Sequence, residues 1–401
     1  MEGLAERLGV GSRHLRRLFI QHLGAPPSAV AHTRRLHFAK KLIDETSLPM
    51  SDVALASGFG CVRRFNAAIR NTYNRTPTQI RRLMHQKMIQ PENHYLFSLR
   101  FRPPYQWQSM LTFLAARATP GVEAVEAGSY CRTISLNGSH GYLEVSLDAA
   151  NNALAVRVQI AEPQLLFPIV ERIRGMFDLN ADSAAIAQSL GADDELSARL
   201  KAQPGLRVPG CWNGFELTVR AILGQQVSVK GATTLAGRIA KAFGQSFSGP
   251  HGLTHIFPAA EALVDAKMEG LGLTGKRAET IRTLAAAVRD RHMRFENIVE
   301  PEAFLEKLCE IPGIGPWTAQ YVAMRALGEP DAFPAGDLGL LRALNLRSSR
   351  ELEKRAEAWR PWRSYASMYL WSVPRAGALK RLAAKVQIVT VENSDAAAAF
   401  D

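Results

Sequence analysis

Cysteine is scarce and scattered: the four, Cys61, Cys131, Cys211 and Cys309, stand 70 or more positions apart. No pair has the short spacing of a zinc ribbon or an iron–sulfur run, so neither a metal nor another cofactor is expected. Runs of 18 uncharged apolar residues are also missing, which leaves no candidate membrane span. The opening MEGLAERLGV lacks the charged-then-apolar order of a secretion signal. A reduced, cytoplasmic and nucleoid-associated setting is therefore expected. Acidic residues are short in one region only. Residues 1–90 carry 15 Lys or Arg against 5 Asp or Glu, whereas the rest of the chain carries 34 against 32. A basic first quarter on a nearly neutral remainder suits nucleic acid, although a merely solvated basic domain has the same balance.

What is present begins with a duplication. Ala5-x-x-x-Gly9 returns as Ala54-x-x-x-Gly58, each closing a short amphipathic helix. Each leads into an Arg-rich helix, SRHLRRLFIQHLG or CVRRFNAAIRNTYN, and then into Gly24-x-x-Pro27 or Asn74-x-x-Pro77. Small residues let one helix cross another closely while the next projects its side chains outward. A connecting helix is expected from Ala29 to Ile43. The pattern resembles the double helix-turn-helix domain of AraC-type regulators. The resemblance places Arg13, His14, Arg16 and Arg17 on or near the first recognition helix, and Val62, Arg63 and Asn66 on the second. Each Arg could read a base edge or grip a phosphate. The sequence opens at what corresponds to that family's second helix, so a truncated domain without the zinc module of adaptive-response regulators is expected over residues 1–82.

After a linker at 83–94, strand patterns appear. ALAVRVQI alternates, with Leu154, Val156, Val158 and Ile160 on one face and Ala155, Arg157 and Gln159 on the other. YLFSLRF, YCRTISL and GYLEVSLD are further strands, and Asn151-Asn152 marks a hairpin turn. WQSMLTFLAARA and PQLLFPIVERIRGMFDL read as amphipathic helices on one side, giving a small α+β domain over 95–205. By spacing alone Phe113 is a core residue. RPPYQWQSMLTFLAARA is similar to the start of the N-terminal domain of DNA-3-methyladenine glycosylase II, the AlkA type. That likeness places Phe113 in the base pocket.

From 206 to 385 the pattern is helical. Gln225 and Gln226 interrupt two apolar runs, either as a solvent-facing loop tip or as a probe that fills the gap left by an extruded base. Between Leu308 and Leu340 runs LCEIPGIGPWTAQYVAMRALGEPDAFPAGDLGL. Pro312 stiffens the turn, and Gly313 and Gly315 permit positive φ. The amides that begin the next helix, up to Thr318, can face a phosphate oxygen. Trp317 and Tyr321, four apart, share a helix face and could be core. Asp337, after Gly and before an apolar run, is an ideal helix N-cap.

This run resembles the helix-hairpin-helix of base-excision glycosylases. The resemblance makes Trp317 and Tyr321 a base-stacking wall, Trp371 a further pocket aromatic and Asp337 the catalytic carboxylate, with Asp331 a distant competitor. Glycosylase/lyases of the superfamily carry a Lys where this chain has Trp317, so a monofunctional enzyme that uses water is expected. The expected protein is multidomain and mainly α: a double helix-turn-helix, a TBP-like α+β domain, a helix-hairpin-helix domain and a disordered tail at 386–401. It would act as a monomer on alkylated bases in double-stranded DNA. The alternative is a transcription regulator whose glycosylase portion only binds DNA.

Overall fold

A computed structural model describes residues 4–5, 8–83, 93–296 and 298–372. The expected tail, most of the linker and the last part of the helical segment lie outside these residues. The basic N-terminal region contains α1 (Ser12–Leu23), α2 (Pro27–Glu45), α3 (Met50–Ala56), α4 (Val62–Tyr73) and α5 (Pro77–Leu83). The two Arg-rich helices, α1 and α4, end alike, on left-handed Gly24 and Asn74. Pro27 and Pro77 then open α2 and α5, where a missing N–H does no harm. The connecting helix α2 is two residues longer at each end than its sequence pattern suggests.

The middle region holds β1 (His94–Arg100), α6 (Trp107–Ala115), β2 (Glu123–Glu126), β3 (Ser129–Leu136), β4 (Ser139–Asp148), β5 (Ala153–Gln159) and α7 (Leu166–Met176). The sheet runs β1-β5-β4-β3-β2 and is antiparallel throughout. Asn152, left-handed at φ 48°, closes the β4–β5 turn where the Asn pair predicts it. The short β2 has no alternation of its own and was not legible. The helix-turn-helix region shares a core with this sheet: Leu42, Ile43 and Phe65 belong to the same buried cluster as Phe97, Leu99 and Val156. Phe38 meets Phe167 edge-on at 5.0 Å, and Lys41 donates to the Ser98 carbonyl.

The remaining helices are α8 (Ser183–Leu190), α9 (Asp194–Ala202), α10 (Gly214–Gly224), α11 (Val229–Phe243), α12 (Ala260–Leu263), α13 (Gly275–Arg289), α14 (Pro301–Cys309), α15 (Pro316–Val322), α16 (Leu338–Ala343), α17 (Ser349–Ala356) and α18 (Arg363–Trp371). They enclose two cores. Val219, Ile239, Ile281, Leu308 and Val322 centre one, and Leu190, Leu196, Leu340, Leu352 and Trp359 the other. Among the described residues no helix is long and apolar enough to cross a membrane.

Sheet and helices are joined by buried charge. Arg132 on β3 reaches Glu216 on α10 at 2.7 Å and Glu123 on β2 at 3.8 Å. Arg220, one turn along α10 from Glu216, lies 2.8 Å from Glu123 and 3.1 Å from Glu216. Tyr130 donates to Glu123 at 2.6 Å. Burial alone would raise the Glu123 carboxyl, but the Arg220 and Arg132 guanidiniums outweigh it and hold it well below the usual range. Removing one partner leaves a buried charge uncompensated, which costs far more than the pair contributes. Glu216→Ala should therefore lower unfolding free energy by about 3–5 kcal/mol in urea titrations; a loss under about 1 kcal/mol would show that the network is not what joins the two layers.

Candidate active site

Helix α14 ends at Cys309 and α15 begins at Pro316, with the Pro-Gly-Ile-Gly turn between them. Gly313 adopts φ 94°, and a Cβ there would stand 2.3 Å from the Thr280 hydroxyl. That hydroxyl donates to the Pro312 carbonyl at 2.8 Å, so it cannot simply move aside. Gly315 departs from its expected role. Its φ of −101° is open to any residue, and nothing lies within 4 Å of where a Cβ would be. Its use is as N-cap of α15, leaving the space before the first helical amides clear.

The two glutamines divide. Gln225 Nε2 donates to the Gly313 carbonyl at 2.9 Å and to the Thr318 hydroxyl at 3.1 Å. Arg277 donates to the Gln225 carbonyl. Gln225 thus braces its loop against the hairpin, and Thr318 is buried beneath it. Gln226 is exposed and left-handed at φ 57°, so it is the amide presented to solvent at the loop tip.

Trp317 and Tyr321 are stacked, with ring centroids 5.3 Å apart and planes 9° from parallel. Trp317 Nε1 donates to Asp337 Oδ2 at 3.1 Å, and Trp371 Nε1, from α18, donates to Asp337 Oδ1 at 2.9 Å. Asp337 is also the N-cap of α16, its Oδ1 accepting from the Leu340 amide at 3.0 Å. Oδ1 therefore has both lone pairs engaged, while Oδ2 keeps one for a further donor. Gly339 makes this approach possible: a Cβ there would lie 2.8 Å from Oδ1 and 3.4 Å from the Trp371 ring. Asp331 is elsewhere, held by both Arg363 nitrogens at 2.8 Å and by Arg360.

Two arginines that the sequence reading passed over complete the wall. Arg325 donates to the Tyr321 hydroxyl at 2.7 Å and to the Pro209 and Gly210 carbonyls at 2.8 and 3.1 Å. It sits in a wider helical turn, Ala323–Leu327, that continues α15. Phe113 lies between Arg117 and Arg325, 3.8 and 4.9 Å from its centroid, and so joins the same wall. Burial would raise the Tyr321 hydroxyl, but Arg325 and Arg117 together bring it below its ordinary value. The available signal was the spacing: Phe113–Arg117 and Tyr321–Arg325 are both aromatic–Arg pairs four apart. A groove of about 870 Å³ opens on the other side of Arg325, between Trp212 and Phe295, but none of Trp317, Tyr321, Asp337 or Trp371 lines it.

Comparison with known proteins agrees with this geometry. Residues 219–363 match the HhH-GPD superfamily of base excision DNA repair proteins, 96–213 the AlkA N-terminal domain and 4–83 a helix-turn-helix domain. The Escherichia coli protein described as DNA-3-methyladenine glycosylase 2 is 33% identical over 278 residues, 69% of this chain and 96% of that one. The chain belongs to the AlkA family of DNA glycosylases. A Mycobacterium tuberculosis relative, described as a probable bifunctional transcriptional activator/DNA repair enzyme AlkA, is 39% identical over 380 residues, 93% of this chain and 76% of its own. The solved 3-methyladenine DNA-glycosylase from Archaeoglobus fulgidus superposes with a TM-score of 0.60 at 25% identity, over 69% of this chain and 97% of that one.

The AlkA-type site lies apart from the helix-turn-helix residues. Arg13, His14, Arg16 and Arg17 on α1, and Val62, Arg63 and Asn66 on α4, are all exposed on their own helices. Within the hairpin, the sharpest constraint is at Gly313. Gly313→Ala combines an unfavourable φ with a clash against Thr280, and should cost about 1–3 kcal/mol of stability. It should also weaken binding to duplex DNA, measured by titration at fixed salt. Unchanged stability and affinity would remove the hairpin's strained turn from the account.

Proposed function

We propose that this AlkA-family enzyme is a monofunctional glycosylase that hydrolyses the N-glycosidic bond of alkylated bases, 3-methyladenine among them, in duplex DNA. The observation that carries the proposal is the Asp337 carboxylate beside the stacked Trp317–Tyr321 pair, with one Oδ2 lone pair uncommitted. An N-alkylated purine is cationic and electron-poor. Aromatic faces attract it by stacking and cation–π contact, each worth on the order of 0.5–2 kcal/mol. Such a pocket needs little hydrogen-bond readout, so a broad range of alkylated bases follows. The positive charge also makes the base a good leaving group, and no acid has to protonate it.

As the bond breaks, positive charge moves to the sugar. A carboxylate within about 4 Å of that charge supplies on the order of 4 kcal/mol at an effective dielectric near 20. Oδ2 can at the same time accept a hydrogen bond from the attacking water and direct it. The α15 amides grip a phosphate, Gln226 enters the duplex behind the extruded base, and Phe113 and Trp371 border the pocket. Arg13, Arg16, Arg17, Arg63 and Asn66 would serve a second DNA contact, at a promoter. With Trp317 in place of an amine, no Schiff base forms. The enzyme should release free 3-methyladenine from methylated duplex, leave an intact abasic strand, and yield no covalent complex with borohydride. Absence of free base, or a trapped adduct, would overturn the proposal.

A further inference from the structure

The four cysteines are too far apart in sequence to suggest a metal site, yet folding brings one of them to two other ligand types. Cys131 on β3 and Glu144 on β4 are cross-strand partners, so their side chains share a face of the sheet. Ala124 pairs with Cys131, which puts Glu126, two residues on along β2, on that same face. Above it lies a loop from the helical region. Its Thr254 and His255 amides donate to the Gly121 carbonyl at 2.8 and 3.0 Å, and Thr133 donates to the His255 carbonyl at 2.9 Å. The loop thereby lowers His251 onto the sheet. The Cys131 sulfur, a Glu144 carboxylate oxygen and a His251 ring nitrogen all lie within 4.8 Å of one another.

We propose that Cys131, Glu144 and His251 form a zinc site that staples the sheet to the 246–255 loop. Thiolate, imidazole and carboxylate are zinc's three usual protein ligands. Zinc–ligand bonds of about 2.0–2.3 Å put tetrahedral ligand atoms about 3.3–3.8 Å apart, so atoms that already lie within 4.8 Å of one another need contract by no more than about 1.5 Å. His251, on a surface loop, and Glu144, at a strand position only partly covered, have the freedom to do so. Glu126 takes the supporting role: its carboxylate is 3.1 Å from His251 Nδ1, the arrangement that orients a metal-bound imidazole.

The Glu144 and Glu126 carboxylates lie beside the sulfur and the imidazole. Arg157, 3.6 Å from Glu144, is the positive group that offsets these carboxylates. Coordination breaks the S–H bond, forms the zinc–sulfur bond and releases that proton to solvent. An ordinary buried thiol beside a surface His–Glu pair would show no such coupling.

The test uses the full chain, stripped with a chelator and titrated with Zn²⁺ against a chromophoric competitor. Expected are one zinc per chain, about one proton released per zinc, and a near-ultraviolet thiolate band when Co²⁺ is substituted. Cys131→Ser should abolish that band. Because Cys131 is buried and its replacement could disturb folding, His251→Ala provides the second arm. It should weaken zinc binding by at least about 10-fold with the fold intact. Substoichiometric zinc overturns the proposal. So does zinc whose affinity is unchanged by His251→Ala, since exposed Cys61 and Cys309 would then be holding it.

Discussion

Two indole N–H groups, from tryptophans more than fifty positions apart in sequence, converge on the carboxylate of Asp337. With the Leu340 amide they fill three of its acceptor positions and fix the plane of the group. Much of the helical region can be read as what this convergence requires. Helix α15 must start where Pro316 and the Gly313 turn start it, so that Trp317 faces α16. Helix α18 must run back to bring Trp371 to the other oxygen. Gly339 must remain without a side chain, because even one carbon would push the acid and the second tryptophan apart. A carboxylate held so firmly suits stabilisation of a charge that develops nearby, where preorganised groups need no rearrangement.

The wall beside the acid is held by two arginines. Arg325 ties the Tyr321 hydroxyl to the Pro209–Gly210 backbone, and with Arg117 it flanks Phe113 on the sheet-bearing region. The proposed base pocket therefore straddles two layers, and their relative placement matters to it. The Arg132–Glu216–Arg220–Glu123 network lies directly behind this seam. Its ion pairs need exact partners in a dry setting, so it specifies one docking geometry rather than merely adding cohesion. The helix-turn-helix region joins the sheet-bearing region through a shared apolar core, with β1, the edge strand remote from β2, carrying Phe97 and Leu99 into it.

How much of this was legible in sequence depended on how local each signal was. The Pro-Gly-Ile-Gly turn, the Trp317–Tyr321 spacing and the Gly24 and Asn74 helix ends are short-range patterns whose backbone consequences follow directly. The alternation of β5 and the Asn152 turn are of the same kind. Asp337 could be placed as an N-cap from its neighbours, and the structure shows the cap and the candidate acid to be one carboxylate. What escaped is long-range. Nothing near Gln225 shows that its amide is spent on Gly313 and Thr318, and nothing near Glu216 announces Arg132, eighty-four positions away. Arg325 was passed over: apart from Tyr321, one helical turn away, its partners are carbonyls more than a hundred residues distant. Gly315 misled in the other direction: a Gly-x-Gly pattern suggests two special backbone positions, but only Gly313 needs one.

The role proposed for Asp337 is charge stabilisation at the sugar, beyond capping α16. Asparagine keeps a capping oxygen but carries no charge, so it separates the two roles. Single-turnover release of 3-methyladenine by Asp337→Asn should be slower than wild type by on the order of 10³-fold, the rate equivalent of about 4 kcal/mol. Asparagine turns an N–H toward the Trp317 indole N–H, so some thermal stability should be lost, while affinity for an abasic-site duplex should stay within a few-fold of wild type. A folded variant that binds as well and still releases base at a rate near wild type would contradict the proposed role.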